Sequence, residues 1–312
     1  MTDTGNRARK TSGTQGFWYY IARVLYYESV LLLILVHMMS MFLSLPLEIF
    51  LHIFSYVAFR ERFRLRIVCQ SWNRLLIHPV LLQHLDFNRF GGGRKLMRGL
   101  RACFNHATQV FSLDLSTILA SCVYLRTISD GKLTHLKRLS VASSRIDTEI
   151  MTTLLQRTRC LQELDMSYNS EIRDDVCEVI TKFASHTLKV LYLPTHLSFW
   201  YPSRSLPMLD SCQELVTLGV DGDMIDPKFI VDIFNGLKLK KLRKLRFTDV
   251  KATYAIKVLR AINSNHSMRI ELCICRCPYL WESPTEVTAR LSSLSIPLCT
   301  QCKFDITTFR WK

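Results

Sequence analysis

The sequence predicts an α/β fold in which a short, all-helical module precedes a longer array of repeated strand–helix units. Two observations support this prediction. A nearly continuous apolar pattern at 45–57 is followed by a second helical segment that ends near residue 76. Further along the chain, an apolar pattern recurs every 25 to 27 residues. A period of this length is typical of arrays in which each unit contributes one strand and one helix.

The helical module is predicted over 43–87, and its first helix is apolar on nearly all sides. Between residues 47 and 57 only Glu48, His52 and Ser55 are polar, so this helix must be buried on several faces. A module of this size cannot cover such a helix alone. We therefore expect one face of the helix to bind another protein. That face comprises Leu45, Pro46, Ile49, Ile53 and Phe54.

Three short patterns occur in this module in a fixed order. They are Leu45-Pro46-x-Glu48-Ile49, Ile53-Phe54-Ser55-Tyr56 and Val68-Cys69-x-x-Trp72. Together they resemble the F-box, a three-helix module that docks onto the Skp-type adaptor of cullin–RING ubiquitin ligases. The resemblance implies that the adaptor contacts Leu45, Pro46, Glu48, Ile49, Ile53, Phe54, Val68, Cys69 and Trp72.

The repeated pattern has the form apolar-x-x-apolar-x-apolar, and its middle member is always a leucine. These anchor leucines are Leu113, Leu139, Leu164, Leu191, Leu218, Leu245 and Leu272. Leu85 fits the same position 28 residues upstream of the first, so the end of the helical module already belongs to the array. No unit buries its apolar side alone, and neighbouring units must therefore stack into one core. The array resembles a leucine-rich-repeat horseshoe, with short parallel strands inside and helices outside.

Helices are predicted between several of the strands. Apolar residues share one helical face at 176–183, 229–234 and 255–262. The asparagine that often follows the strand in such repeats occurs only at Asn169, which predicts a weak polar ladder. One unit is predicted to form an ordered loop instead of a regular helix. It is the unit that contains Pro194, Pro202 and Pro207.

The alternation of side chains along each strand predicts a second binding surface. If the anchor leucines point into the core, their strand neighbours point to the open concave face. Eight strands make this face about 34 Å across, and its residues are polar and mixed in sign. A dedicated charged site and an evenly solvated polar face both agree with this composition. The candidate target-binding residues are Arg138, Glu163, Asp165, Tyr192, Asp221, Lys244 and Arg246.

Charge and cysteine content exclude several classes of protein. The net charge is +15, but the segment 111–235 is acidic, unlike a uniformly basic nucleic-acid binder. The basic run at 238–246 has no interleaved aromatic platform, so no nucleic-acid partner is expected. Eleven cysteines, spread over the chain, indicate reduced thiols rather than a disulfide framework. Reduced thiols are typical of the cytoplasm and the nucleus.

No nucleotide-binding loop, nucleophile elbow or zinc-protease motif occurs in the sequence. Neither catalysis nor a cofactor is therefore expected. A group of cysteines near the C-terminus has spacings that resemble zinc sites, although we favour unliganded thiols in a C-terminal cap of the domain at 88–312. These residues are Cys273, Cys275, Cys277, Cys299 and Cys302.

The N-terminal extension at 1–42 leaves three interpretations open. Ser29–Leu45 is apolar over a length close to that of a membrane span, although His37 interrupts it. It is a membrane anchor, an extension packed on the protein, or an upstream extension of the reading frame. We favour the last interpretation, because several methionines directly precede the helical module. Membrane association is therefore not expected but stays open.

Resemblance to the F-box and leucine-rich-repeat family implies a non-catalytic substrate receptor. The F-box would hold the Skp-type adaptor, and the array would hold a protein target of unknown identity for ubiquitination. Two alternatives remain. One is a membrane-tethered leucine-rich-repeat binding protein. The other is a non-degradative scaffold that binds the adaptor and recruits no cullin.

Overall fold

The computed structural model describes residues 45–88, 94–118, 132–194, 196–197, 202–221, 227–236, 239–248 and 271–273. The predicted helical module begins the described part of the chain. It consists of α1 (Leu47–Ser55), α2 (Phe59–Leu65) and α3 (Gln70–Leu75), followed by a 3-10 helix at Pro79–Leu82. The chain then enters the first strand, β1 (His84–Asp86).

Strands and helices follow one another in the rest of the described chain. The strands are β2 (Ser112–Asp114), β3 (Arg138–Ser140), β4 (Glu163–Asp165), β5 (Val190–Leu193), β6 (Thr217–Asp221), β7 (Lys244–Thr248) and β8 (Glu271–Cys273). The helices are α4 (Arg94–His106), α5 (Thr148–Gln156), α6 (Val176–Phe183), α7 (Pro202–Ser211) and α8 (Pro227–Gly236).

The eight described strands form one parallel sheet in which each strand pairs with the next strand in the sequence. The pairing aligns the anchor leucines, since Leu85 lies beside Leu113 and Leu245 beside Leu272. The intervening strands continue the same row through Leu139, Leu164, Leu191 and Leu218. The register predicted from the leucine spacing is therefore confirmed.

The core lies directly behind this row of leucines. Leu164, Leu191 and Leu218 are fully buried, and burial of each contributes about 1.5–3 kcal/mol. The predicted helices at 176–183 and 229–234 correspond to α6 and α8, which bury Ile180 and Ile233 against the same core. The predicted helix at 255–262 lies outside the described residues.

A buried polar link joins two neighbouring units just beyond the ends of their strands. The Asn169 side chain is only 1% exposed. Its Nδ2 donates to the Val141 carbonyl at 3.3 Å and to Ser144 Oγ at 3.1 Å, and its Oδ1 accepts from the Glu171 N–H at 3.1 Å. Ser144 also donates to the Val141 carbonyl, at 2.6 Å. The link therefore reaches the preceding unit, although a serine holds the asparagine position there.

The predicted loop in the proline-containing unit is wrong, because this unit forms α7. Pro202 is the first residue of the helix, where a backbone N–H is not needed. Pro207 lies inside the helix and removes one backbone hydrogen bond. Met208 and Leu209 are buried in the core, and at roughly 1.5–3 kcal/mol each their burial offsets that loss.

The second helix of the module packs into the hydrophobic core of the sheet. Phe59 of α2 packs in the same cluster as Leu82, Leu85 and Phe87. Arg62, which is 9% exposed, donates from Nη1 to the Leu81 carbonyl at 2.7 Å and holds the 3-10 helix against α2. These contacts fix the module relative to the first strands.

In the described ranges, no helix is both long and apolar enough to cross a membrane. The apolar segment Ser29–Leu45 lies outside these ranges except for Leu45 itself. The glycine run at 91–93 also lies outside them.

Candidate adaptor-binding and target-binding surfaces

A cysteine cap explains the Cys69-x-x-Trp72 spacing. Cys69 is the N-cap residue of α3, and its Sγ accepts a hydrogen bond from the Trp72 N–H at 3.4 Å. An N-cap side chain accepts from the N–H two or three residues further along, and here it is the third. At the end of α2, Arg66 Nε donates to Asn73 Oδ1 at 2.9 Å and links α2 to α3. The pattern therefore fixes how α3 begins and where the indole lies.

Trp72 completes a small aromatic core inside the module. The rings of Phe50 and Phe54 stack with their centroids 4.4 Å apart. The indole of Trp72 meets Phe54 edge to face at 5.3 Å and Phe50 at 6.3 Å. Leu76 and Leu81 close this core from α3 and the 3-10 helix. Because α1 contributes one stripe to this core, its other apolar stripe faces outward.

The predicted place of Phe54 on the exposed face is wrong. Its side chain is 3% exposed, because it stacks on Phe50 and supports Trp72. Trp72 and Cys69 are half-buried, and they position α3. These three residues therefore stabilise the packing inside the module.

The outward stripe of α1 is apolar and exposed. Ile49, Ile53 and Tyr56 follow one another at helical spacing and are 48%, 38% and 79% exposed. Leu47, at the start of the same helix, is 41% exposed. Pro46 and Glu48 are exposed beside it, and Leu45 is half-buried. Exposed apolar surface of this kind is common at protein-binding sites.

A second exposed apolar segment lies between α2 and α3. Ile67 is 90% exposed and Val68 is 48% exposed, and Val80 in the 3-10 helix is 50% exposed. Leu47, Tyr56, Ile67 and Val80 were not predicted as site residues. They are exposed because the aromatic core buries the other stripe of each helix. The apolar pattern alone does not show which stripe is buried.

Six of the seven predicted target-binding residues lie on one face of the sheet, in two rows. Arg138 and Glu163 are register partners on β3 and β4 and are both exposed. Asp165 and Tyr192 are register partners on β4 and β5 and are both half-exposed. Asp221 is the last residue of β6, and the structure describes its backbone only.

Tyr192 and Arg246 meet across the strand that lies between them. In the row, Tyr192 is beside Gly219, and Gly219 is beside Arg246. The Tyr192 ring lies over Gly219 so closely that a Cβ on Gly219 would be 2.6 Å from Cε1 of the ring. The Arg246 guanidinium carbon is 5.5 Å from the centroid of the same ring. Lys244 lies two residues before Arg246 and is also half-exposed.

At the opposite end of this face, His84 lies close to two positively charged arginines. His84 on β1 lies in the same row as Ser112 and Arg138. Partial burial lowers the pKa of the His84 imidazole, and the positive charges of Arg138 and Arg62 lower it further. The neutral imidazole is therefore favoured at this edge of the sheet.

In the part of the chain that the structure describes, no group of three or more His, Cys, Asp or Glu residues could hold a metal ion. Of the cysteines considered for zinc, Cys273 has only its backbone described. The others, Cys275, Cys277, Cys299 and Cys302, lie outside the described residues.

Comparison with known proteins agrees with the geometry of the helical module. Residues 42–88 match the protein family described as F-box-like. No match to the chain is found among curated proteins. F-box domains bind Skp-type adaptors within cullin–RING ligases, and their proteins are in general non-catalytic substrate receptors. Residues 42–88 are therefore similar to an F-box-like domain.

Proposed function

We propose that this chain is the substrate-recognition subunit of an SCF-type cullin–RING ubiquitin ligase. The F-box-like domain binds a Skp-type adaptor, and the strand–helix array binds a protein target and promotes its ubiquitination. The observation that carries the proposal is the exposed apolar stripe of α1, which is separate from the stripe that packs into the aromatic core of the domain.

The adaptor-binding surface is apolar at its centre. Ile49, Ile53 and Tyr56 provide that centre, and Ile67 and Val68 extend it. The neighbouring helix α2 carries Arg60 and Arg64 on its exposed side. Arg64 is paired with Glu61 on the same helix at 2.8 Å. A partner that fits has an apolar groove with an acidic residue at its rim, which complements Arg60.

We infer that the array is a leucine-rich-repeat domain. The support is the row of aligned leucines on eight parallel strands, with helices α5, α6, α7 and α8 between successive strands. Arg138, Glu163, Asp165, Tyr192, Asp221, Lys244 and Arg246 are proposed as target-binding residues on the face opposite the core.

In this mechanism the chain positions the target and takes no part in the chemical step. The contacts of Phe59 and Arg62 with the first strand region hold the module in a fixed direction relative to the sheet. A target bound on the sheet is then held at a fixed distance from the adaptor. Such positioning raises the effective concentration of a target lysine near a ubiquitin-loaded enzyme. The proposed site of action is the cytoplasm or the nucleus.

The proposal is tested by co-purification from cells, comparing the tagged wild-type chain with a Leu45→Ala/Pro46→Ala double variant. We expect adaptor and cullin in the wild-type eluate and a strong loss of both from the variant. Adaptor without cullin in the wild-type eluate would indicate the non-degradative scaffold instead. Absence of the adaptor from the wild-type eluate would contradict the proposal.

A further inference from the structure

We propose that Tyr192, Gly219 and Arg246 form a recognition site for a single anionic side chain on the bound protein target. This inference rests on the proposed function and names the chemistry that the array recognises. The three residues come from three adjacent strands, β5, β6 and β7, at one level of the sheet. We call this group the Tyr–Gly–Arg platform.

Gly219 makes the platform possible by having no side chain. Its neighbours in the row are Tyr192 and Arg246, and the Tyr192 ring occupies the space that a Cβ at residue 219 would take. Gly219 itself is buried under the ring. The ring therefore bridges β6 and reaches towards β7.

The Tyr192 ring in turn positions the Arg246 guanidinium. The guanidinium carbon is 5.5 Å from the ring centroid, a distance at which a cation is attracted to the face of an aromatic ring. Arg246 is half-exposed, so part of its side chain is open to a partner. A guanidinium held in this way loses less freedom when it binds, because its planar group is already oriented.

The charges on the three strands of the platform itself favour an anion at this place. On β5 to β7 the two rows of the face carry Val190, Tyr192, Thr217, Gly219, Lys244 and Arg246, which include two cations and no acid. Acids flank this region on both sides: Asp165 is beside Tyr192 and Glu163 beside Val190 on β4, and Glu271 is beside Lys244 on β8. Asp221 lies beyond the two rows on β6. The cations are therefore concentrated on β7, where Arg246 meets the ring. Arginine forms bidentate hydrogen bonds with carboxylates and phosphates, and tyrosine and arginine are enriched at the energetic centres of interfaces.

The test uses the full chain co-purified with its Skp-type adaptor, and a displayed library of random linear peptides as the probe. Peptides selected on the wild-type protein should carry an acidic residue at one fixed position. Selection on Arg246→Glu should exchange this preference for lysine or arginine. Gly219→Ala should abolish it although it removes no functional group, because the added methyl group displaces the Tyr192 ring.

Two controls separate the platform from the general positive charge of the surface. Lys240→Ala removes an exposed cation in the turn before β7, outside the proposed target-binding residues, and should leave the acidic preference unchanged. Lys189→Ala removes an exposed cation directly before β5 and should also leave it unchanged. A wild-type selection without acidic preference, or a preference that persists in Arg246→Glu, would overturn the proposal.

The same preparations distinguish this proposal from the wider one. Every variant should retain the adaptor, since the platform is separate from the F-box-like domain. Loss of the adaptor from the wild-type preparation would count against the proposed function, whereas an unselective peptide response with the adaptor present counts against the platform alone. Synthetic copies of a selected peptide, with glutamate or phosphoserine at the acidic position, determine which anion binds more tightly.

Discussion

The rings of Phe59 and Phe87 meet edge to face with their centroids 5.2 Å apart. Phe59 belongs to the second helix of the F-box-like domain, and Phe87 directly follows the first strand of the array. Both are in the large core, and Phe87 is fully buried. This contact makes the two parts of the chain one structural unit at their junction.

We therefore predict that Phe87→Ala destabilises the F-box-like domain as well as the array. Truncation of a buried phenylalanine costs about 3–5 kcal/mol. Urea unfolding, followed by hydrogen exchange in α1 and in β2, measures both parts. Phe87→Leu, which retains most of the apolar volume, serves as the control. Loss of protection in β2 with unchanged protection in α1 would contradict the coupling.

The buried Asn169 link predicts a second effect on stability. Asn169→Ala removes the acceptor of the Glu171 N–H and the donor to Val141 and Ser144. We expect the free energy of unfolding to fall by about 1–3 kcal/mol, because buried polar groups lose their partners. Chemical denaturation measures the change, and exposed Ser170 provides a matched Ser170→Ala control. Equal stability of the two variants would contradict the structural role of this link.

The environment of His84 predicts a measurable titration shift. Burial and the charges of Arg138 and Arg62 lower the pKa of His84 below its ordinary value of 6.5. Arg138→Ala should raise this pKa without restoring the ordinary value, because the larger contribution from burial remains. NMR titration of the imidazole provides the measurement. An unchanged pKa would show that Arg138 does not act on His84.

The sign of this shift also fixes its effect on stability. A lowered folded-state pKa means that the unfolded chain binds the proton more readily. The contribution of His84 is therefore present above pH 6.5 and is lost as the pH falls through the lowered folded pKa. His84→Gln should reduce this acid-side loss.

Buried thiols make the free energy of unfolding fall as the pH rises in the alkaline range. Burial raises the pKa of Cys103 and of Cys177 to about 12, and that of Cys212 to about 11. For Cys177 the nearby Asp174 raises it further. Because the unfolded thiols ionise near 9.0, their contribution is complete below that pH and is lost as the pH rises towards the folded values.

The measurement is the free energy of unfolding at a series of pH values on both sides of 9.0. Lysines and tyrosines also titrate in this range, so the comparison is between the wild type and Cys177→Ala. The alkaline decrease should be shallower in the variant. The same slope in both proteins would contradict the assignment to this thiol.

The register of the sheet was predictable from the sequence because one physical requirement sets it. Each strand must place one leucine in a shared core, so the leucine spacing gives the pairing of Leu164 with Leu191 directly. The proline-containing unit was not predictable in the same way. The number of prolines opposes a helix, whereas the buried Met208 and Leu209 favour it, and only the packed structure shows which effect is larger.

The binding surfaces were predictable in position and less so in detail. The apolar pattern of α1 indicates that some stripe is exposed, but the choice between Phe54 and Tyr56 depends on where Trp72 lies. Tyr192, Gly219 and Arg246 are 27 residues apart in sequence, and this spacing places them in one row. The position of the Tyr192 ring over Gly219 depends on side-chain packing, which the residue spacing does not predict.

The exposed stripe of α1 is the centre of the functional account, and a matched pair of variants tests it. Ile49→Asp puts a charge on the stripe, where Ile49 is 48% exposed, so the fold should tolerate it. Gln156→Asp puts the same side chain at an exposed site on α5.

The deciding measurement is isothermal titration of a purified Skp-type adaptor into the full-length chain and these two variants. We expect binding to the wild type and to Gln156→Asp, and an affinity lower by about a hundredfold for Ile49→Asp. Thermal unfolding of Ile49→Asp should match that of the wild type. Equal affinity of all three proteins, or no binding by the wild type, would contradict the account.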